Sequence, residues 1–472
     1  MEKEKKMSKS ERMGTMPVPS LLIRLGAPLM LSMIVQALYN VVDSLFVSYI
    51  PDTAGIVNAG DKAINALTLA FPIQMLILAL CIGTGVGVNA ALSRSLGMGD
   101  RKTAGRIAGN SVFLGLCYSI GMVLFGAFGV DAYLASQTAD AVVAEMAGSY
   151  LRIISFCAFG SIWQICFERL LQATGRTTEA MVSQLVGALL NIILDPIFIF
   201  GYMGLPAMGV AGAAIATVIG QCASLAVGIV LHNMHNKEIP LSLNGMRPDG
   251  AIIVRIFKVG APAIAMQALT SVMTYGMNLI LVNVSATAVT AYGLYYKLQN
   301  FIFMPVFGLN NASIPIIAYN YGAGKPKRVR DTVIGGLIIA SVIMGLGIVA
   351  LQLFGAQIVS LFQTSGEAAQ MCVTALRIIT VGFLFVGANV VLQGACQALG
   401  NGMYSLVISL MRMVVIVLPL AWLLSMAENA AVLVWWAFPI AECVAMFAAI
   451  VLTIKVYRER MKDVHPAEQK AA

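Results

Sequence analysis

The chain has 472 residues, of which 59% are hydrophobic and only 11% are charged. Soluble domains carry about 25% charged residues, so this composition excludes a water-soluble protein and predicts an integral membrane protein. The net charge of +8 is explained by basic loops of the kind that membrane proteins keep in the cytoplasm, so we expect no nucleic-acid partner.

Twelve apolar segments follow one another along the chain, and each is long enough to cross a bilayer core of about 30 Å. They cover residues 20–50, 62–92, 104–130, 140–172, 178–201, 207–232, 252–284, 286–320, 330–355, 367–398, 403–425 and 431–456. The longest polar interruption lies between the sixth and the seventh segment. The sequence therefore predicts an all-α membrane protein with a cytoplasmic tail (1–19), an N-lobe (20–232), a cytoplasmic linker (233–251), a C-lobe (252–456) and a second tail (457–472).

The basic residues predict the orientation of this bundle. Most of the 30 Lys and Arg residues lie in the two tails and in the loops that follow even-numbered helices. The loops on the other side are acidic and contain almost no Lys or Arg. Because basic loops stay in the cytoplasm, we expect a multi-pass protein of the inner membrane with both termini inside the cell.

Short motifs recur between the two halves at a constant offset of 225 residues, as from 151 to 376. Six helices per half would make both halves cross the membrane in the same direction, related by an axis along the membrane normal. Such duplicated lobes are typical of transporters that rock about a central site. The pairs are Leu151-Arg152-Ile153-Ile154 with Leu376-Arg377-Ile378-Ile379, Gly97-x-Gly99-x-x-Lys102 with Gly322-x-Gly324-x-x-Lys327, and Gln172-Ala173-x-Gly175 with Gln397-Ala398-x-Gly400.

Two acidic residues lie within apolar segments of the first half, where an ionisable side chain is costly and usually functional. Asp43 follows Asn40 in the first helix, and Asp195 follows Asn191 in the fifth. Each Asn lies three or four residues before its Asp, hence on the same helix face, so we expect Asn40 and Asn191 to belong to the same ion site as the two acids. Counted at 1.5 Å per residue, both carboxylates lie about 9–12 Å below the outer helix ends, at one depth. Two carboxylates in a dry site repel each other, so they favour binding a shared proton or a Na⁺ ion. The alternative is a structural pair whose charges are satisfied by Asn and hydroxyl neighbours.

The second half has three ionisable residues near mid-membrane, namely Lys297, Arg412 and Glu442. We expect them to form an internal salt-bridge cluster, and contact with a substrate or ion is the alternative. The substrate cavity is predicted to include these three residues together with Met33, Gln36 and Tyr39 of the first helix.

Several chemistries have no support in the sequence. All eight cysteines lie inside apolar segments without a Cys-x-x-Cys pair, so disulfides and metal ligation are not expected. The Gly322-x-Gly324-Lys325 segment lacks the spacing of a nucleotide-binding loop. With three His residues and no plausible nucleophile–base set, we expect neither an enzyme nor a bound cofactor.

The motifs together resemble the MATE family of multidrug and toxic compound extrusion antiporters, and within it the bacterial DinF-like or MepA-like branch. The resemblance extends from about residue 20 to 455. It is carried by Asn40-x-x-Asp43, Leu96-Gly97-x-Gly99-Asp100, Leu171-Gln172-Ala173-x-Gly175, Asn191-x-x-x-Asp195-Pro196, Gly209-x-x-Gly212-Ala213-Ala214-x-Ala216-Thr217 and Pro439-Ile440-Ala441-Glu442.

The resemblance implies a MATE fold, with two six-helix lobes in a V shape that are related by pseudo-two-fold symmetry about the membrane normal. It implies a functional monomer in the lipid bilayer that exports small amphipathic, often cationic drugs or toxins against an inward flow of H⁺ or Na⁺. Family ion-site roles carry over to Asp43, Asn191, Asp195 and Thr217, with Na⁺ expected at the first three if it is the coupling ion. The NorM-like branch has further acids in helices 7 and 10; here helix 7 has none between Pro262 and Val284.

A flippase for lipid-linked sugars is the nearest alternative function. A cavity for bulky anionic headgroups needs several Arg or Lys side chains, whereas the mid-membrane bases here are Lys297 and Arg412.

Overall fold

The computed structural model describes residues 7–51, 58–239, 243–360 and 366–462, without the side chains of residues 40, 44, 48, 243 and 244. The predicted site residue Asn40 therefore has a described backbone position but lies outside the described side chains. Within these ranges every regular element is helical.

Twelve helices are long and apolar enough to span a membrane, if two helices that meet at a bend of 49° count as one span. The predicted all-helical class with twelve spans is thereby confirmed. We number them α1 (Val18–Ser48), α2 (Ala59–Gly97), α3 (Arg101–Gln137), α4 (Ala141–Phe156 and Ala158–Ala173), α5 (Thr177–Phe200), α6 (Gly209–His235), α7 (Gly250–Val284), α8 (Ala286–Gly322), α9 (Pro326–Ser360), α10 (Gly366–Ala398), α11 (Gly402–Leu424) and α12 (Ala430–Lys462).

The repeated sequence motifs encode one turn that is used four times. Each copy of the two glycine-containing motifs ends a helix with a glycine in the left-handed region, where a side chain would be strained. In the turn after α2, Gly99 N–H bonds to Leu96 O at 3.0 Å and Asp100 N–H bonds to Ser95 O at 3.0 Å. The four glycines have φ between +70° and +79°; they are Gly99, Gly175, Gly324 and Gly400. The offset of 225 residues thus relates equivalent helix ends.

Both described ends of the chain lie on one face of the bundle, which we call the inner face. The two halves pack against each other near this face, through α1 with α8 and through α2 with α7 and α8. A Cβ atom added to Gly97 would lie 2.0 Å from Tyr319 O, and one added to Gly322 would lie 2.1 Å from Arg94 O. Adding 225 to the numbers of Gly97 and Arg94 gives Gly322 and Tyr319, so the two contacts are equivalent. The pseudo-two-fold axis therefore passes through this interface between the halves, which we call the seam.

Farther from the inner face, beyond the seam, α1 and α8 diverge. Gly308 packs against the backbone of Met30, with 2.7 Å between the Met30 Cα atom and a Cβ added to Gly308. Val41 and Lys297 each lie eleven residues farther from the inner face, about three turns along the same helix faces. Val41 is 53% exposed, and Lys297 is exposed as well. The cleft between the halves is therefore closed at the inner face and open toward the opposite one.

Candidate functional site

The two buried acids of the first half meet between α1 and α5. The carboxyl groups of Asp43 and Asp195 lie within hydrogen-bonding distance of each other. Asp195 is fully buried and Asp43 is partly exposed. Two carboxylates at this distance repel each other unless a proton or a cation lies between them.

Asn191 and Thr217 extend this group. Asn191 Nδ2 donates hydrogen bonds to Asp195 Oδ1 and to Thr217 Oγ1, both at 3.3 Å. Three buried oxygen atoms have no hydrogen-bond partner among the described residues, namely Asp43 Oδ1, Asp195 Oδ2 and Asn191 Oδ1. Carboxylate and amide oxygens are the ligands that hard cations prefer. The residues present therefore fit either a shared proton or Na⁺.

Two glycines allow α5 and α6 to approach closely enough to build the group. A Cβ atom on Gly220 would lie 2.7 Å from Gly187 O, and one on Gly187 would lie 2.8 Å from Gly220 O. Gly187 and Asn191 are one turn apart on α5, and Gly220 and Thr217 are one turn apart on α6. The contact between the glycine backbones thus brings Thr217 within reach of Asn191.

Two tyrosines border the acids. The Tyr39 hydroxyl lies within hydrogen-bond reach of Thr217. Tyr150, on α4, is buried close to both carboxylates, and its hydroxyl accepts a hydrogen bond from Gln74 Nε2 at 2.7 Å. Tyr150 was not predicted, because a single tyrosine in an apolar helix carries no signal about the helix it faces.

A cavity of about 90 Å³ lies beside the acid pair and shares Tyr39, Asn191 and Thr217 with it. Its lining includes the predicted residue Gln36, whose Oε1 accepts a hydrogen bond from Gln184 Nε2 at 2.9 Å. Three of its glutamines were not predicted: Gln164, Gln184 and Gln221. Their spacing along α4, α5 and α6 shows no common pattern, so one sequence gives no signal that they converge. Met33 does not line this cavity, although it was predicted to contact substrate.

In the second half, Arg412 and Glu442 form a buried ion pair. Arg412 donates to Glu442 Oε1 from Nε at 2.9 Å and from Nη2 at 2.7 Å. Asn389, which was also not predicted, donates to Glu442 Oε2 at 2.8 Å. Arg412 lies in a π-helical turn of α11, Met411–Val415. The extra residue in such a turn rotates the following side chains, and π-turns are frequent at functional sites.

The prediction of a salt-bridge cluster of three residues is wrong for Lys297, which does not join the pair of Arg412 and Glu442. Tyr295 is buried close to Glu442 and Arg412. Two residues along an α-helix correspond to a rotation of about 200°, so Lys297 points away from the pair, toward the cleft. Within the described ranges it has no ion-pair partner. Depth along a helix, which the sequence gives, does not fix the direction of a side chain.

Comparisons with known proteins agree with this architecture. The MatE family model matches residues 28–197 and 262–423. The multidrug export protein MepA of Staphylococcus aureus (strain MSSA476) is 25% identical over 445 residues, covering 94% of this chain and 95% of that protein. MepA of Staphylococcus saprophyticus is 26% identical over 440 residues, covering 93% and 94%.

Solved structures show the same fold. A MATE family transporter of the MOP superfamily in an outward-facing conformation superposes with a TM-score of 0.89 at 24% identity, covering 97% of this chain and all of that one. A MOP superfamily transporter from Pyrococcus furiosus gives a TM-score of 0.86 at 24% identity, covering 97% and 99%. Since one family model matches both halves of the chain and more than half of the chain's residues, the chain belongs to the MATE family of membrane transporters.

Proposed function

We propose that this protein exports small drugs or toxic compounds by alternating access, with H⁺ or Na⁺ moving inward in exchange. The observation that carries the proposal is the contact between Asp43 and Asp195, beside a cavity and a cleft that is closed at the inner face. The relatives named MepA are described as multidrug export proteins, which supports export as the direction. We further propose that both termini are cytoplasmic and that the functional unit is a monomer in the bilayer, without enzymatic activity.

The cycle that we propose starts from the cleft as it stands, open away from the inner face. A cation reaches the acid pair and removes the repulsion between its carboxylates. Pro28 interrupts the hydrogen bonding of α1, two residues from the contact between Met30 and Gly308. We propose that α1 repacks at this point, that the cavity shrinks and releases its substrate outward, and that the halves then rock to open the inner face.

The side chains of the cavity suit amphipathic and cationic substrates. Its amide side chains, among them Gln36 and Gln184, both donate and accept hydrogen bonds, so they suit polar groups of different kinds. The nearby acids supply negative charge when no coupling cation is bound. A drug cation and the coupling ion would then compete for one electrostatic site, which is the requirement for exchange.

The flippase alternative has less support from the side chains. Of the two mid-membrane bases, Arg412 is neutralised by Glu442 at 2.7 Å. This leaves Lys297 as the unpaired base at that depth in the described part of the chain. One exposed lysine is a weak counter-charge for a lipid diphosphate.

The test uses purified protein in vesicles loaded with a fluorescent cationic dye. A pH gradient and a Na⁺ gradient are each applied alone, in the direction that drives the ion inward. We expect one of the two gradients to drive dye export, with collapse of that gradient stopping it. Dye movement that ignores both gradients would refute ion coupling, and movement of a labelled lipid in place of dye would support the flippase.

A further inference from the structure

A short segment before α1 lies across the seam between the halves. We call residues Ser8–Met16 the N-terminal clasp. It contains a helix, Lys9–Met13, which begins with a capping box in which Ser8 Oγ accepts from Glu11 N and Glu11 Oε2 accepts from Ser8 N. This reciprocal cap satisfies N–H groups that a short helix otherwise leaves free. The clasp is thus a defined element.

The clasp is fixed to the first half by its side chains. Lys9 forms an ion pair with Glu179 at the start of α5, and Ser10 Oγ donates to Glu238 in the linker. Arg176 lies 3.5 Å from Glu179 and 3.9 Å from Glu238, so it joins both acids. These contacts depend on the identity of the clasp residues.

The clasp is fixed to the second half by its backbone. Arg328 Nη2 donates to Met13 O at 3.1 Å and to Met16 O at 2.6 Å, and Lys325 Nζ donates to Gly14 O at 2.8 Å. Asn320 Nδ2 donates to Met13 O at 2.9 Å. These carbonyls lie at or just beyond the carboxyl end of the helix, where carbonyl groups lack intrahelical donors and attract cations. The bonds from Arg and Lys are charge-assisted and therefore strong.

The segment before α7 makes the corresponding contact in the other direction. We call residues 245–249 the linker clasp. Asn110 Nδ2, on α3, donates to Gly245 O at 3.4 Å and to Arg247 O at 3.3 Å, and Asn110 Oδ1 accepts from Asp249 N at 2.9 Å. Arg106 forms an ion pair with Asp249. Arg328 lies on α9 and Asn110 lies on α3, and these helices occupy equivalent places in the repeat. Each half thus extends the segment before its first helix to the third helix of the other half.

We propose that the two clasps are a matched pair of latches that hold the inner face closed and must release for the inner face to open. The inference rests on the alternating access proposed above. The bonds that Asn320, Lys325 and Arg328 donate to the carbonyl groups of the N-terminal clasp all cross between the halves, so a rocking motion that opens the seam breaks them. The contacts of the N-terminal clasp with Glu179 and Glu238 stay within the first half. This clasp therefore moves with the first half and leaves the second.

The first test weakens one clasp. Spin labels at positions 102 and 458, both exposed near the inner face, report the distance between the halves in detergent and in lipid, after replacement of reactive native cysteines. Arg328→Met removes two cross-seam bonds, so we expect the ratio of inner-open to inner-closed molecules to rise about tenfold or more. Lys327→Met is the matched control, because Lys327 is exposed and forms no hydrogen bond or ion pair with the described residues.

A distance distribution for Arg328→Met that superposes on that of the control would overturn the proposal. If Arg328→Met does not fold, Asn110→Ala tests the other clasp with the same labels and the same expected direction. Because these distances are measured without substrate or ion gradient, they stand even if the protein proves not to export drugs.

The second test prevents release. A Cβ atom on Gly14 would lie 3.5 Å from Lys325 Nζ and 2.8 Å from Tyr319 Cε1, so the end of the Tyr319 side chain must shift to admit it. Gly14→Cys with Lys325→Cys then places two thiols across the seam. A short, cleavable cross-linker with two thiol-reactive groups should stop dye export, and its cleavage should restore export to the level before treatment. Each single cysteine variant, treated in the same way, is the control. Full export by a quantitatively cross-linked protein would show that the clasp need not open.

Discussion

Among the described side chains, the buried carboxylate of Asp195 has one hydrogen-bond donor, Asn191, and faces a second carboxylate in place of a counter-charge. Burying an unpaired charge in this way is expensive. The arrangement persists in a folded protein if a cation spends part of the cycle there. The burial of Asp195 and the neighbouring Asp43 support the proposed coupling site, which is charged and neutralised in turn.

We predict that Asp195→Asn abolishes gradient-driven export while the protein still folds. The amide has the shape of the carboxylate and can hydrogen-bond to Asn191, but it carries no charge that a coupling ion would neutralise. Dye export in vesicles should fall at least about tenfold, the effect of about 1.4 kcal/mol. The melting temperature should fall little or rise, since a buried repulsion is removed.

Glu428→Gln serves as the control for Asp195→Asn, because Glu428 is an exposed acid in a loop. Export by Glu428→Gln should equal that of the parent. Gradient-driven export by Asp195→Asn at the parent rate would contradict the assignment of the site.

The ion pair between Arg412 and Glu442 makes a different prediction. Arg412 is 8% exposed and the Glu442 side chain is 15% exposed, so removing one partner leaves a nearly buried charge. Arg412→Met and Glu442→Gln should each reduce the free energy of unfolding by about 3–5 kcal/mol. The double variant should lose less than either single one, because no charge remains uncompensated.

Thermal unfolding in detergent measures this cycle for the single variants and for the double variant. Additive losses would show that the two side chains are not coupled energetically and would contradict this prediction. Loss of export without loss of stability would instead favour contact of this pair with substrate.

At the scale of a helix, the contact between α5 and α6 depends on the absence of side chains at Gly187 and Gly220. Gly220→Ala should push the helices apart, because its Cβ atom would lie 2.7 Å from Gly187 O. We expect the stability to fall by about 1–3 kcal/mol. Export should also fall, because Thr217 moves away from Asn191.

The control for this substitution is Gly121→Ala on α3. A Cβ atom there meets nothing within 4 Å, and alanine favours the helix over glycine by roughly 0.5–1 kcal/mol. Gly121→Ala should therefore leave export unchanged and stability equal or slightly higher. Equal behaviour of the two variants in both assays would show that close packing of α5 and α6 does not position the site.

The sequence predicted helices well because an apolar run of this length has one stable form in a bilayer. It also predicted that Asp43 and Asp195 lie at one depth, since depth follows from residue count. It could not predict the direction in which Lys297 points, or that Tyr150 and Gln184 reach the site from other helices. Those facts depend on the rotation of each helix about its own axis, which the packing of small residues such as Gly187 and Gly220 determines.

For the molecule as a whole, the repeat places equivalent glycines at the contact between the halves, which the sequence alone did not show. Gly97 and Gly322 are equivalent positions in the two halves, and the structure packs each against the backbone of the other half. Gly83 and Gly308 are a second pair of equivalent positions. Gly83 packs against Ile264 of the second half, and Gly308 packs against Met30 of the first. The duplicated glycines thus form the surface on which the halves close, and the pseudo-two-fold axis makes each contact occur twice.

This symmetry predicts that Gly97→Ala and Gly322→Ala have similar effects, although they lie 225 residues apart. Their Cβ atoms would lie 2.0 Å and 2.1 Å from backbone oxygens across the seam. Each should therefore disfavour closure of the inner face and increase the inner-open population by a similar factor, as measured by spin-label distances between the halves. Gly105→Ala is the control, since its Cβ atom would meet nothing within 4 Å. A shift in one variant without a shift in the other would show that the seam does not open about the pseudo-two-fold axis, and that one half provides the hinge.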